Sequence, residues 1–273
     1  LAEAAGLDPL EMRLRNAQRH GEETGQGLRF MTCGLRECLE AASALSGWRE
    51  KRAAADRSRG TAAGGGPVRR GIGMASLLHV GGGAKIYRSD GCGSILTLDD
   101  FGKATLVTGS TDIGQGSETV LAQIVAEVLG LGIDRVRVVN SDTDVKPWDV
   151  GVHASRTSYV AGNSALLAAR EARDKLLAAA AERFEVPKQI LDLQDGWVVR
   201  GAERLEPVDR LARALHFSGK SQLLVTHAYF EPESVPQDEE FRGNVSPTYA
   251  FGTQVAEVEV EMDTGVVRVL AVY

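Results

Sequence analysis

Apolar positions along the chain change their period several times, and each change predicts a new element. Met12 and Leu14 follow Asp8-Pro9, a helix cap with proline at the first turn, so a short helix starts there. Leu35, Leu39, Ala42, Leu45 and Trp48 recur every three to four residues and predict a second helix over 35–56. Residues 49–59 form its charged, solvated end. Residues 58–67, which contain Gly64-Gly65-Gly66-Pro67, have the composition of a linker.

The period then shortens to that of strands over 72–80, 84–89, 94–98 and 103–108, with turns at Gly81-Gly82-Gly83, Asp90-Gly91 and residues 99–102. A helix is predicted over 115–129, its buried stripe formed by Leu121, Ile124, Val125 and Val128. A strand over 135–140 and a loop over 141–154 lead into a long helix, 155–184. Its early turns set Ser158, Ala161, Gly162 and Ala165 on one face, a spacing of small residues that lets another backbone come close. A short helix after Pro187, a strand over 196–200, a helix over 208–217 and β structure over 223–230 and 248–272 complete the chain. Within the last segment, 257–261 and 266–272 read as the two strands of a hairpin. Strand and helix runs mix without strict alternation, which predicts an α+β fold of mixed sheets with packed helices. The expected division is a helical segment and linker over 1–66 and an α+β region over 67–273. No internal repeat or low-complexity tract interrupts it.

Composition narrows the function classes. At 273 residues, 43% hydrophobic and 25% charged, with a mean hydropathy of -0.13, the chain has the makings of a globular core in one large or two modest domains. No apolar run is long enough to span a membrane. A net charge of -6 offers no field for nucleic acid; the slight basic excess is N-terminal, with 12 basic and 9 acidic residues in the first 70. Cys33, Cys38 and Cys92 lack paired spacing, which reads as free thiols in a reducing, cytoplasmic setting and argues against structural zinc. Leu1 to Ala5 begin inside a helical pattern without an initiator methionine, and the chain stops inside a hairpin, so the sequence is expected to be a middle piece of a longer protein.

Two segments stand out as carriers of chemistry. In Gly109-Ser110-Thr111-Asp112-Ile113-Gly114-Gln115-Gly116, a strand gives way to a helix whose free N–H groups suit a phosphate or an oxo group, and the glycines let backbone approach closely. A strand-to-helix turn that needs glycine would look the same. The spacing is neither a GxGxxG fingerprint nor a phosphate-binding P-loop. The second segment runs from Asp142 through Trp148-Asp149-Val150-Gly151-Val152-His153-Ala154-Ser155-Arg156-Thr157. Its hydroxyls and amides could hold phosphate or a heterocycle, with Arg156 adding charge. The plainer reading is a helix capped by Ser155 beside a surface arginine. Two such helix starts in one chain are what an extended anionic cofactor needs. Asp142 and Asp144 lack the glycine and distal glutamate of a calcium loop. His79, beside Gly81, could line a pocket or be structural, and no nucleophile signature is present. A dinucleotide-binding unit is disfavoured because no acidic ribose-binding residue follows the glycine turn.

GSTDIGQGSETVLAQIVAEVLG together with SDTDVKPWDVGVHASRTSYVAGNSA resembles the molybdopterin-binding subunit of the xanthine dehydrogenase and aldehyde oxidase family. The likeness is greatest to the bacterial branch with hydroxybenzoyl-CoA reductase and aerobic carbon monoxide dehydrogenase. LAEAAGLDPLEMRLRNA and YAFGTQVAEVEVEMDTGVVRVLAVY resemble flanking parts of the same subunit in the same order. The resemblance implies a molybdenum–molybdopterin dinucleotide, of the cytosine form in bacterial relatives, with the metal held by the pterin and not by side chains. Gln115 would then hydrogen-bond an oxygen on the metal, between Gly114 and Gly116. Ala154, Ser155, Arg156 and Thr157 would lie against the pterin, and His79 and Gly81 would belong to the substrate pocket.

The implied reaction is hydroxylation of an electrophilic carbon of a small molecule, with electrons leaving through iron–sulfur (2Fe-2S) and FAD subunits or domains of a dimeric enzyme. The family's general-base glutamate would lie beyond Tyr273, so no catalytic residue falls within this chain, and the piece is expected not to turn over alone. The competing reading is a cofactor-free structural or interaction domain from a truncated or split subunit.

Overall fold

A computed structural model of the chain describes residues 1–59, 67–83, 89–218 and 224–273. The expected linker glycines 64–66 and most of the expected strand 84–89 lie outside the described residues. The chain divides into two compact units, Leu1–Val80 with Gln237–Tyr273, and Gly81–Pro236.

The first unit sets three helices on a three-stranded antiparallel sheet. Helix α1, Pro9–Asn16, is capped as its sequence requires: Asp8 Oδ1 accepts from the amides of Leu10 at 2.8 Å and Glu11 at 3.4 Å. The same carboxylate accepts from Trp48 Nε1 at 3.1 Å, tying the cap to a fully buried indole. The expected helix 35–56 is broken in two, α2 Leu35–Ser46 and α3 Trp48–Arg59. Gly47 sits at φ +64 and its amide satisfies the last carbonyls of α2, a glycine C-cap that the apolar period on either side conceals. Strand β1, Val68–Val80, pairs along its whole length with β9, Tyr249–Glu261, which in turn pairs with β10, Val267–Val272. The terminal hairpin is therefore present as expected. Leu10, Leu39, Ala42, Trp48, Ile72 and Val255 form this unit's core.

The second unit is built on a four-stranded sheet in the order β4-β3-β2-β8, formed by Val136–Val139, Ala104–Thr108, Cys92–Leu98 and Val225–Phe230. Strands β3 and β4 run parallel, joined through helix α4, Ser117–Leu129, while the other neighbours are antiparallel. The long helix α5, Thr157–Phe184, buries Val160, Ala161, Ala165, Ala168, Ala169 and Ala172 against this framework. A meander of β5 Asp192–Gln194, β6 Trp197–Arg200 and β7 Glu203–Pro207 follows, then helix α6, Val208–His216. The α+β class with mixed sheets and packed helices holds.

Small residues on α5 do bring a neighbour close. A Cβ on Gly162 would stand 3.1 Å from Ile124 Cδ1 of α4, whereas Ser158 of the same expected stripe is exposed. Gly162→Leu is expected to lower stability by about 1–3 kcal/mol through overpacking. A thermal melt checks this, and an unchanged midpoint would mean the two helices part without cost.

Candidate functional site

Helix α4 begins two residues later than the apolar period predicts, at Ser117, because the backbone before it turns left-handed. Gly114 lies at φ +100 and Gly116 at φ +76, and among the described residues no atom stands within 4 Å of where a Cβ would point on either. The side chain that organises this turn is Asp112. It accepts from Gly114 N at 2.8 Å, Ser117 Oγ at 3.0 Å and Glu118 N at 3.2 Å, and the Gly114 and Glu118 amide bonds hold its carboxyl below the usual range. Gln115, expected at the helix start, is exposed in the turn itself. Its Oε1 accepts from Ile113 N at 2.6 Å and its Nε2 donates to Thr111 O at 3.1 Å, leaving a second N–H on Nε2.

The two candidate segments meet. Gly93 N donates to Trp148 O at 2.9 Å, and a Cβ on Gly109 would stand 2.6–2.7 Å from Pro147 O, Trp148 O and Asp149 Cβ. Only glycine leaves room at that crossing. Lys146 Nζ, half-buried, donates to Gly109 O and to Thr111 Oγ1, each at 3.1 Å. Two polar groups at the ends of the parallel strands, Ser110 Oγ after β3 and Asn140 Nδ2 after β4, are buried with no partner among the described residues. Open α/β sheets take ligands at that end of parallel strands.

The second segment enters α5 through a strained turn. Ala154 and Ser155 carry φ of +47 and +49, a conformation that costs roughly 1–3 kcal/mol for each non-glycine residue. Ser155 makes no cap; the capping position is Arg156, and Thr157 opens the helix, buried. The surface arginine of the plainer reading is overturned, since Arg156 is 1% exposed and enclosed by partners distant in sequence. Its Nη1 donates to Asp149 Oδ2 at 2.8 Å and Gly151 O at 3.0 Å, and its Nη2 to the carbonyls of Asp90 at 2.6 Å and Gly91 at 2.8 Å. Nε lies 3.1 Å from Asp90 Oδ1, an ion contact outside hydrogen-bond geometry, and His153 Nε2 lies 3.3 Å from the same oxygen. Gly82 N donates to Ala154 O at 2.9 Å and Gly83 N to Asp90 Oδ2, so the 82–83 turn clasps the same segment.

Other residues singled out by sequence fall elsewhere. Asp142 accepts from Asp144 N at 3.0 Å, an ordinary aspartate turn, and no group of three or more acidic, histidine or cysteine side chains that could hold a metal ion forms among the described residues. His79 is exposed in β1 of the first unit opposite Ala250, and Gly81 is buried in the second. Burial, and then the nearby Asp149 carboxylate, push the Cys92 thiol up to about 12, so it stays protonated and unreactive at neutral pH. Sequence reasoning gave Asp90 only a turn and assigned no individual part in the site to Gly93, Asp112 or Lys146. Only Asp112, an aspartate ahead of a helix, carried a local signal, and it reaches the helix from outside any capping-box register.

Comparison with known proteins agrees with this architecture. The family model described as the molybdopterin cofactor-binding domain matches residues 41–273. The xanthine dehydrogenase molybdenum-binding subunit of Escherichia coli O157:H7 is 33% identical over 96% of this chain and 33% of its own length. The carbon monoxide dehydrogenase large chain of Hydrogenophaga pseudoflava is 27% identical over 100% of this chain and 34% of its own. Reconstituted CO dehydrogenase from Oligotropha carboxidovorans superimposes over 100% of this chain and 34% of its own with a TM-score of 0.85 at 22% identity. The chain thus spans about a third of the length of the curated relatives named here. With the match running from α2 to the terminal hairpin, the chain belongs to the molybdopterin cofactor-binding domain family.

Proposed function

We propose that this chain holds a molybdopterin dinucleotide, of the cytosine form, and forms part of the substrate pocket of a molybdenum hydroxylase-type subunit. The observation that carries the reading is the crossing at Gly109, where two glycine- and hydroxyl-rich helix starts are drawn together and Lys146 bonds from one to the other. The donor set fits such a group. Among the described residues, Gly114 and Gly116 have no neighbour where a Cβ would point, Gln115 keeps an amide hydrogen, and Ser110 and Asn140 hold unpartnered buried polar atoms at the strand ends. A dinucleotide's phosphates are acceptors, and these groups with Lys146 offer donors. No set of side-chain metal ligands is required of the chain, since the pterin itself ligates molybdenum.

In this reading Gln115, between Gly114 and Gly116, would face the metal, and Ala154, Ser155 and Thr157, with Arg156 behind them, would lie against the pterin that holds it. Bound there, the cofactor supplies two-electron oxidation of a small-molecule substrate. This chain's residues bind and orient, with Gln115 donating from Nε2. Gly81, in the same unit, belongs to the substrate pocket, and the general base is supplied from outside the chain. FAD and 2Fe-2S partner subunits or domains accept the electrons in a dimeric, cytoplasmic enzyme; the names 'molybdenum-binding subunit' and 'large chain' of the relatives support an assembly of several subunits.

The test is the molybdenum and pterin content of the chain purified from a host that makes the cofactor. Near-stoichiometric pterin supports the reading; folded protein without pterin would show that residues outside this chain are needed to hold it. Gln115→Ala is expected to lower the activity of the complete enzyme at least ten-fold while shifting stability by less than about 1 kcal/mol, because the exposed amide bonds only its own turn. A large drop in melting temperature with activity intact would instead assign Gln115 to the turn alone.

A further inference from the structure

We infer that Arg156 is a positioning residue for the cofactor: its guanidinium holds Ala154 and Ser155 in their left-handed conformation and never meets the cofactor. The inference rests on the proposed molybdopterin reading. The resemblance groups Arg156 with residues that touch the pterin, but both of its terminal nitrogens are already bonded and its Nε is buried against a carboxylate. A guanidinium has five N–H groups, and here two go to Asp149 and Gly151 O, two to the carbonyls of Asp90 and Gly91, and the fifth faces Asp90 Oδ1. Two carboxylates against one guanidinium leave no positive charge over for an anionic ligand. Burial closes the remaining route, with 1% of the side chain exposed.

What the guanidinium does reach is the backbone entering the strained turn and, from another part of the chain, the carbonyls of Asp90 and Gly91. Gly151 O is bonded directly, and Asp149, which also accepts from Gly151 N at 2.7 Å, anchors the entry. Asp90 links the exit to the 82–83 turn, whose Gly82 amide fixes Ala154 O. Two successive non-glycine residues do not keep left-handed dihedrals unless their surroundings over-determine them. Arg156 joins Asp149, Gly151 and Asp90 through a single side chain. Its planar fork fits that task, and a lysine ammonium, with three donors at one point, cannot span them.

The experiment uses the whole 273-residue chain from a cofactor-making host, with Arg156→Lys, Asp149→Asn and the double variant Arg156→Lys/Ala154→Gly. Amide hydrogen exchange is followed in cofactor-free protein, and pterin is measured by fluorescence after oxidative release. Arg156→Lys is expected to speed exchange over residues 151–157 at least ten-fold while amides in the interior of α5 keep their rates, and to cut pterin content at least five-fold. Asp149→Asn, which alters a group buried away from solvent, is expected to do the same. Ala154→Gly is expected to restore at least half of the lost pterin, because glycine takes the left-handed conformation without strain. Pterin loss in Arg156→Lys with exchange at 151–157 unchanged overturns the inference in favour of direct contact, as does full pterin in Asp149→Asn. If the unsubstituted chain carries no pterin, the binding reading fails for this chain. The exchange rates then decide the tether alone, and unchanged rates in Arg156→Lys overturn it.

Discussion

Replacing Arg156 by methionine is expected to cost the chain about 3–5 kcal/mol, read as the shift of its urea midpoint, because it strands two buried carboxylates. Methionine keeps much of the arginine stem's volume, so the loss measures the missing guanidinium and not a cavity. The side chains of Asp90 and Asp149 are only 1% and 2% exposed, and neither can turn to water without opening the turn. Adding Asp90→Asn and Asp149→Asn to the methionine variant is expected to recover part of the loss, since neutral amides need no counter-ion. A cost below about 1 kcal/mol for the single variant would show that water already reaches the cluster.

Gly109→Val is expected to be nearly as damaging, at about 3 kcal/mol or more from overpacking, and to empty the cofactor site as well. The new Cβ falls within 2.7 Å of Pro147 O, Trp148 O and Asp149 Cβ, all backbone or backbone-tethered atoms that cannot rotate away. Relief requires the 147–149 segment to lift, which breaks the bond from Gly93 N to Trp148 O. Gly114→Val is the useful contrast, since it meets no atom within 4 Å and pays only for its left-handed φ. If Gly109→Val melts no lower than Gly114→Val, the close crossing is not a requirement of the fold.

Much of this architecture is legible from residue order because its determinants are local. Asp8-Pro9 marks the first helix, alternation marks the terminal hairpin, and the glycines at 109, 114 and 116 mark the turn that carries Gln115. The break at Gly47 was masked by an apolar period that continues through Leu45 and Trp48 on either side of it. The three-residue strand β5 and polar β7 give no usable alternation, and their register comes from pairing with β6. Arg156 reads as solvated because charge is the only local signal it carries. Its burial is decided by Asp90 and the Gly91 carbonyl, 66 and 65 residues earlier, which no window around the arginine contains.

The pairing of β1 with β9 also governs the order in which the chain becomes structured. Val80 pairs with Tyr249 and Val68 with Glu261, with the whole of the second unit lying between the two strands in sequence. On the ribosome, β1 therefore emerges long before its partner and waits for about 170 further residues, on the order of ten seconds or more of synthesis. The second unit has its own sheet and core and completes within one uninterrupted stretch, so it can fold while the first is still half made. Its early folding shortens the loop that β1 and β9 must close, which lowers the entropy cost of the last and most non-local step. The N-terminal sheet is thus completed only after residues 81–236, none of which belongs to it, have been made.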